Sequence, residues 1–172
     1  MKKLPTIFIS YRREDTGGDA GRLNDTLTQV LGPGRIFWDL EKIAPGKDFR
    51  NELKRVLSES SVLFVLIGPK WETITDANGR PRLFNKDDLV RMELLAGLRH
   101  RSLRVVPVLL NRETVPKASD VPSVLRSVIT FWIATAHSTA ATTEGNSSRS
   151  PSPVVLTMRP PWSATIGRAA SR

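Results

Sequence analysis

The side chains best able to do chemistry fall in a few short stretches of the chain. They are Ser10-Tyr11-Arg12-Arg13 at the end of an apolar run, Trp38-Asp39 at the end of another, Lys42 just after it, and Glu93 within Asp88-Leu89-Val90-Arg91-Met92-Glu93-Leu94. Together they offer hydroxyl, aromatic, basic and carboxylate groups, the ingredients of a ligand cleft. Taken singly, each has an ordinary structural use. A helical Glu is commonly exposed and paired with a base such as Arg91 or Lys86, Tyr11 and Trp38 can pack with a polar atom outward, and Arg12 to Asp15 can form a self-neutralising turn.

Several other chemistries are excluded or disfavoured. The chain has no cysteine and two histidines, His100 and His137. Disulfides, thiolate ligands and a cysteine nucleophile are absent, and histidine-based metal sites or a Ser-His-Asp triad have almost nothing to be built from. Gly32-Pro33-Gly34 follows a helical pattern and precedes a strand, the reverse of a dinucleotide fingerprint, so it reads as a helix stop and turn. Pro45-Gly46-Lys47-Asp48 lacks the first glycine of a phosphate loop and carries Asp where a Ser or Thr would hold magnesium.

The elements that must position these residues alternate. Thr6 to Tyr11 is suited to a buried strand, and Ala20, Leu23, Leu27, Val30 and Leu31 recur at helical spacing. Arg35 to Asp39 reads as a second strand and Leu40 to Lys47 as a loop. Phe49, Leu53, Val56 and Leu57 line one face of a second helix, and Val62 to Ile67 makes a central strand. Gly68 to Lys86 is polar and turn-rich. A helix capped by Asp87 or Asp88 runs to about His100, Arg104 to Leu110 forms a fourth strand, Val121 to Arg126 a short helical turn, and Val128 to Ile133 a fifth strand. This order predicts an α/β domain over residues 5–132 with a five-stranded parallel sheet covered on both faces, and a ligand site beyond the carboxyl ends of the strands.

Length and charge bound the partners. With 172 residues the chain supports one domain with a substantial core. The net charge of +9 invites nucleic acid, but Arg149, Arg159, Arg168 and Arg172 supply four of those charges after the last acidic residue, Glu144. Elsewhere bases alternate with acids, as on a solvated helix face, so a nucleic-acid partner is not expected. Residues 133–172 form a Ser/Thr/Pro-rich basic tail expected to be disordered. The longest apolar run, Ser61 to Gly68, is too short to cross a bilayer, and the amino terminus lacks the features of a secretory signal, so a cytoplasmic protein without membrane attachment is expected.

In combination the boxes become specific. Phe8-Ile9-Ser10-Tyr11 and Phe37-Trp38-Asp39-Leu40-Glu41-Lys42-Ile43-Ala44-Pro45-Gly46-Lys47-Asp48-Phe49 resemble the first two sequence boxes of the Toll/interleukin-1 receptor/resistance (TIR) domain. Val62 to Gly68, Asp88 to Leu94 and Val105 to Leu110 are similar to its central strand, catalytic-helix segment and following strand. The flavour is bacterial. The resemblance implies a flavodoxin-like three-layer fold, and two functional classes. One cleaves the nicotinamide-ribose bond of NAD, giving ADP-ribose or a cyclic isomer, with NAD as substrate and no cofactor or metal. The other consists of non-catalytic adaptors that recruit another TIR protein through the loop after the second strand.

A glutamate at the position of Glu93 marks the enzymatic members and implies a catalytic role in bacterial immune signalling. Ser10, Tyr11, Arg12, Arg13, Trp38, Asp39 and Lys42 are then expected to hold the substrate. Ile43, Ala44, Pro45 and Gly46 are expected to mediate self-association between TIR domains. Two departures stand out: Leu89 occupies a position, four before the glutamate, that is often aromatic in family enzymes, and the family's terminal amphipathic helix is expected to be missing.

Overall fold

The computed structural model describes residues 6–38, 47–126, 128–130 and 132. The loop residues Asp39, Lys42, Ile43, Ala44, Pro45 and Gly46 and the tail 133–172 lie outside that set. The elements follow in the order β1 (Ile7–Ser10), α1 (Arg13–Leu31), β2 (Ile36–Phe37), α2 (Lys47–Glu59), β3 (Val62–Ile67), α3 (Leu89–Arg99) and β4 (Arg104–Leu109), with single 3-10 turns at Arg82–Phe84 and Ala118–Asp120. The four strands are all parallel and ordered β2-β1-β3-β4. β1 is thus an inner strand, and its carboxyl end lies beside the point where the chain turns from one flank of the sheet to the other.

Strand alternation sorts the core into two layers. Phe8, Phe37, Leu63, Val65, Ile67, Val105 and Leu109 pack with α2 and α3, whereas Ile7, Ile9, Tyr11, Ile36, Leu66, Val106 and Val108 pack with α1. On the first face α2 buries Phe49, Leu53, Val56 and Leu57, the stripe its spacing predicts. Its other side is solvated. There Arg55 donates to Glu52 and Glu59 and lies 5.3 Å from the ring centroid of Phe37. These hydrogen bonds lower the Glu52 carboxyl below its usual range and raise Arg55.

α3 lies close to the sheet because of Gly97, where any side chain would run into Leu63 of β3. On the second face α1 is the single covering helix among the described residues. A groove of about 380 Å³ opens between it and the sheet, walled by Leu23, Leu27, Phe64, Val108 and Leu110.

The carboxyl-terminal part departs from expectation. Residues 123–126 and 128–130 are helical, so the sheet has four strands and the fifth, expected over Val128 to Ile133, is absent from the described residues. Val128 and Ile129 carry strong strand propensity, but Leu125, Val128, Ile129 and Trp132 are all buried against the α2 and α3 face. Their spacing of three, four and seven is helical, and burial of one face overrides local β preference. Among the described residues, no helix is long and apolar enough to cross a membrane.

If this segment belongs to the core, Leu125→Ala should lower the unfolding free energy by about 2–5 kcal/mol. Urea denaturation followed by far-UV circular dichroism reads the change directly.

Candidate functional site

Two elements meet at the carboxyl edge of the sheet, and one arginine joins them. Arg12 follows β1, is 1% exposed, and sends its guanidinium into the protein. Nη1 and Nη2 donate to the two carboxylate oxygens of Asp88 at 2.9 and 3.0 Å, and Nε donates to the carbonyl of Trp71 at 2.8 Å. Asp88 is also the N-cap of α3, accepting from the Arg91 amide at 2.9 Å, as the sequence predicts for Asp87 or Asp88. Arg82 approaches the same carboxylate at 3.4 Å and reaches Glu14 at 2.9 Å. A forked guanidinium on a carboxylate fixes orientation as well as distance, so the start of α3 is held against the end of β1.

α3 carries Glu93 inward. Val90, Glu93, Leu94, Gly97 and Leu98 are the buried residues of this helix, and they form one stripe at helical spacing. A carboxylate, 4% exposed, therefore occupies a position that the helix pattern would give to an apolar side chain. Ser10, the last residue of β1, is on the same face of the sheet, since it shares the alternation of Phe8. Its hydroxyl is fully buried and has no hydrogen-bond partner among the described residues.

The loop after β3 forms a stiff wall to this edge. Gly68 leaves no room for a side chain beside Asp15 and Thr16. Its carbonyl accepts from Arg112, whose guanidinium also forks onto Glu72 at 2.7 and 2.9 Å. Asp15 accepts from the Lys70 amide at 3.0 Å.

The residues expected to share one cleft are divided by the sheet. Ser10 and Glu93 lie on the α3 face. Tyr11 and Trp38 lie on the α1 face, where their rings stack with centroids 6.1 Å apart and Tyr11 packs near Gly17. Arg12 is interior, and Arg13, the first residue of α1, is exposed. Leu89 packs partly buried against the core, while Phe84 is half exposed and its carbonyl accepts from Arg91. Sequence reasoning missed Asp88 as more than a cap, and missed Trp71 altogether. The available signal was a basic pair after a buried strand with one base too close to the core to reach solvent. Among the described residues no group of three or more His, Cys, Asp or Glu is arranged to hold a metal.

A parallel sheet of order 2-1-3-4 between helical layers, with polar residues gathered at its carboxyl edge, defines a flavodoxin-like α/β domain. The family model of the TIR domain matches residues 7–143, and the chain belongs to the TIR domain family. No curated protein matches it.

A buried hydroxyl without a partner is a stability cost that alanine would remove. Ser10→Ala should raise the unfolding free energy by about 1 kcal/mol in urea titration.

Proposed function

We propose that this TIR domain cleaves the nicotinamide-ribose bond of NAD, with Glu93 as the catalytic carboxylate. The observation that supports the reading most is the burial of Glu93 in the apolar stripe of α3. Burying a carboxylate carries a desolvation cost that its contacts must offset, whereas a helix whose only task was packing could place leucine there at no such cost. Membership of a family that includes NAD-cleaving enzymes supplies the reaction class.

The chemistry suits a fixed carboxylate. As the bond between ribose C1′ and the pyridinium nitrogen breaks, its electron pair goes to nicotinamide, which leaves neutral, and positive charge develops on the ribose. A carboxylate in a poorly hydrated site stabilises that charge. Water then attacks C1′ and loses a proton to give ADP-ribose, or an adenine nitrogen attacks to give a cyclic isomer. Arg13, exposed at the start of α1, is the cation this reading assigns to the pyrophosphate, and Ser10 lines the α3 face of the sheet from beneath. Asp39 and Lys42, also expected to hold the substrate, are kept in this reading as partners contributed by the loop after β2.

TIR domains commonly associate with one another. Self-association through Ile43, Ala44, Pro45 and Gly46 predicts activity per mole that rises with protein concentration. Nicotinamide release from NAD by the full chain, followed by liquid chromatography across a concentration series, tests the enzyme. Glu93→Ala should reduce release at least about a thousandfold while circular dichroism is unchanged. An intact, concentrated wild-type chain that releases no nicotinamide refutes catalysis and leaves recruitment of another TIR protein as the role of the domain.

A further inference from the structure

We infer that Arg12 is a positioning residue, and that its forked ion pair with Asp88 sets the place of Glu93 at the carboxyl end of β1. This inference rests on the catalytic reading of Glu93. It assigns Arg12 a task different from the substrate contact expected from sequence.

Three observations converge on this. The pair is almost wholly buried, with both side chains 1% exposed, so the guanidinium cannot also serve as a surface contact for a phosphate. Its three bonds join two different parts of the edge: two end on the cap of α3 and one on the Trp71 carbonyl in the loop after β3. Asp88 in turn holds the first turn of α3 through the Arg91 amide. Glu93 follows Asp88 by five residues, about 7.5 Å along the helix axis. Any change in where the cap sits is therefore carried to Glu93 by little more than one helical turn, while Ser10 stays fixed in the sheet.

Charge alone does not reproduce this arrangement. A lysine ammonium is a point donor on a flexible stem and cannot span both oxygens of Asp88 while bonding a third acceptor. Arg12→Lys therefore keeps the charge and loses the geometry. Asp88→Asn does the converse: its carbonyl oxygen can still accept from the Arg91 amide, but the ion pair is gone.

The test uses the full chain with three readouts: nicotinamide release, NAD concentration dependence, and amide hydrogen exchange in α3 with α2 as the internal control. Both variants should remain folded by circular dichroism. kcat should fall about 10- to 100-fold with KM within about threefold, because displacement of a reacting group by about 1 Å acts on the chemical step more than on binding. Amides at the start of α3 should lose protection while those of α2 do not.

An unchanged kcat in Arg12→Lys overturns the positioning role and leaves the enzyme reading intact. Wild type that is inert towards NAD refutes the enzyme reading instead, and the exchange data then decide on the clamp alone: equal protection in α3 and α2 overturns it, selective loss in α3 supports it. Loss of fold in both variants also overturns the inference, since the pair would then serve the core as a whole.

Discussion

The junction of β1 with α3 at the carboxyl edge of this sheet depends on a buried ion pair. Removing Arg12 and Asp88 from water is unfavourable, and the attraction between them compensates only because the geometry is forked and the remaining hydrogen-bonding capacity is used. Here each guanidinium nitrogen has a partner, with Nε bonding the Trp71 carbonyl, and the Asp88 oxygens also accept from the Arg91 amide and face Arg82. Deleting either partner would strand a charge in the core, a loss of about 3–5 kcal/mol in comparable sites. The pair therefore acts as a latch between strand and helix. α3 cannot slide along the sheet without breaking it.

A second constraint comes from the sheet itself. Successive residues of a strand face opposite layers, so Ser10 and Tyr11 are neighbours in sequence yet serve different sides of the protein. Ser10 belongs with Glu93, whereas Tyr11 belongs with Trp38 and α1. Gly97 and Gly68 tighten this division. One lets α3 lie down on β3, and the other lets the start of α1 close over the end of the same strand. The result is an edge on which few side chains are left to meet a ligand, which places more weight on each that is.

The element order, the cap at Asp88 and the stripe of α3 were legible in the sequence because each is a local pattern: turn residues, a helix-start carboxylate and a period of 3.6. Glu93 was singled out through the spacing of the family boxes, whereas its burial in the stripe of α3 came only from the structure. The burial of Arg12 was not legible, for a physical reason. Arginine is normally exposed, and the partner that makes its burial tolerable lies 76 residues away, beyond any local window. The sorting of Tyr11 from Ser10 required knowing which helix covers which face. The expected fifth strand failed where two signals competed in one segment. Val128 and Ile129 favour a strand by type, but Leu125, Val128, Ile129 and Trp132 favour a helix by spacing, and burial decided for spacing.

Burial costs in this molecule are not spread evenly. The buried charged side chains among the described residues are Arg12, Asp88 and Glu93, and all three lie on the elements that meet at one edge. Ser10, with its unpartnered hydroxyl, is there too. The opposite end of the sheet shows no such concentration: Ile7, Val62 and Ile36 begin their strands among apolar neighbours. A scaffold selected only for stability would remove these groups, since apolar replacements of similar volume are often neutral or stabilising. The clustering of costly groups where parallel α/β sheets hold their ligands is thus an argument in its own right. It is independent of the family boxes, and it is the reason the proposed site is sought on the α3 face of that edge.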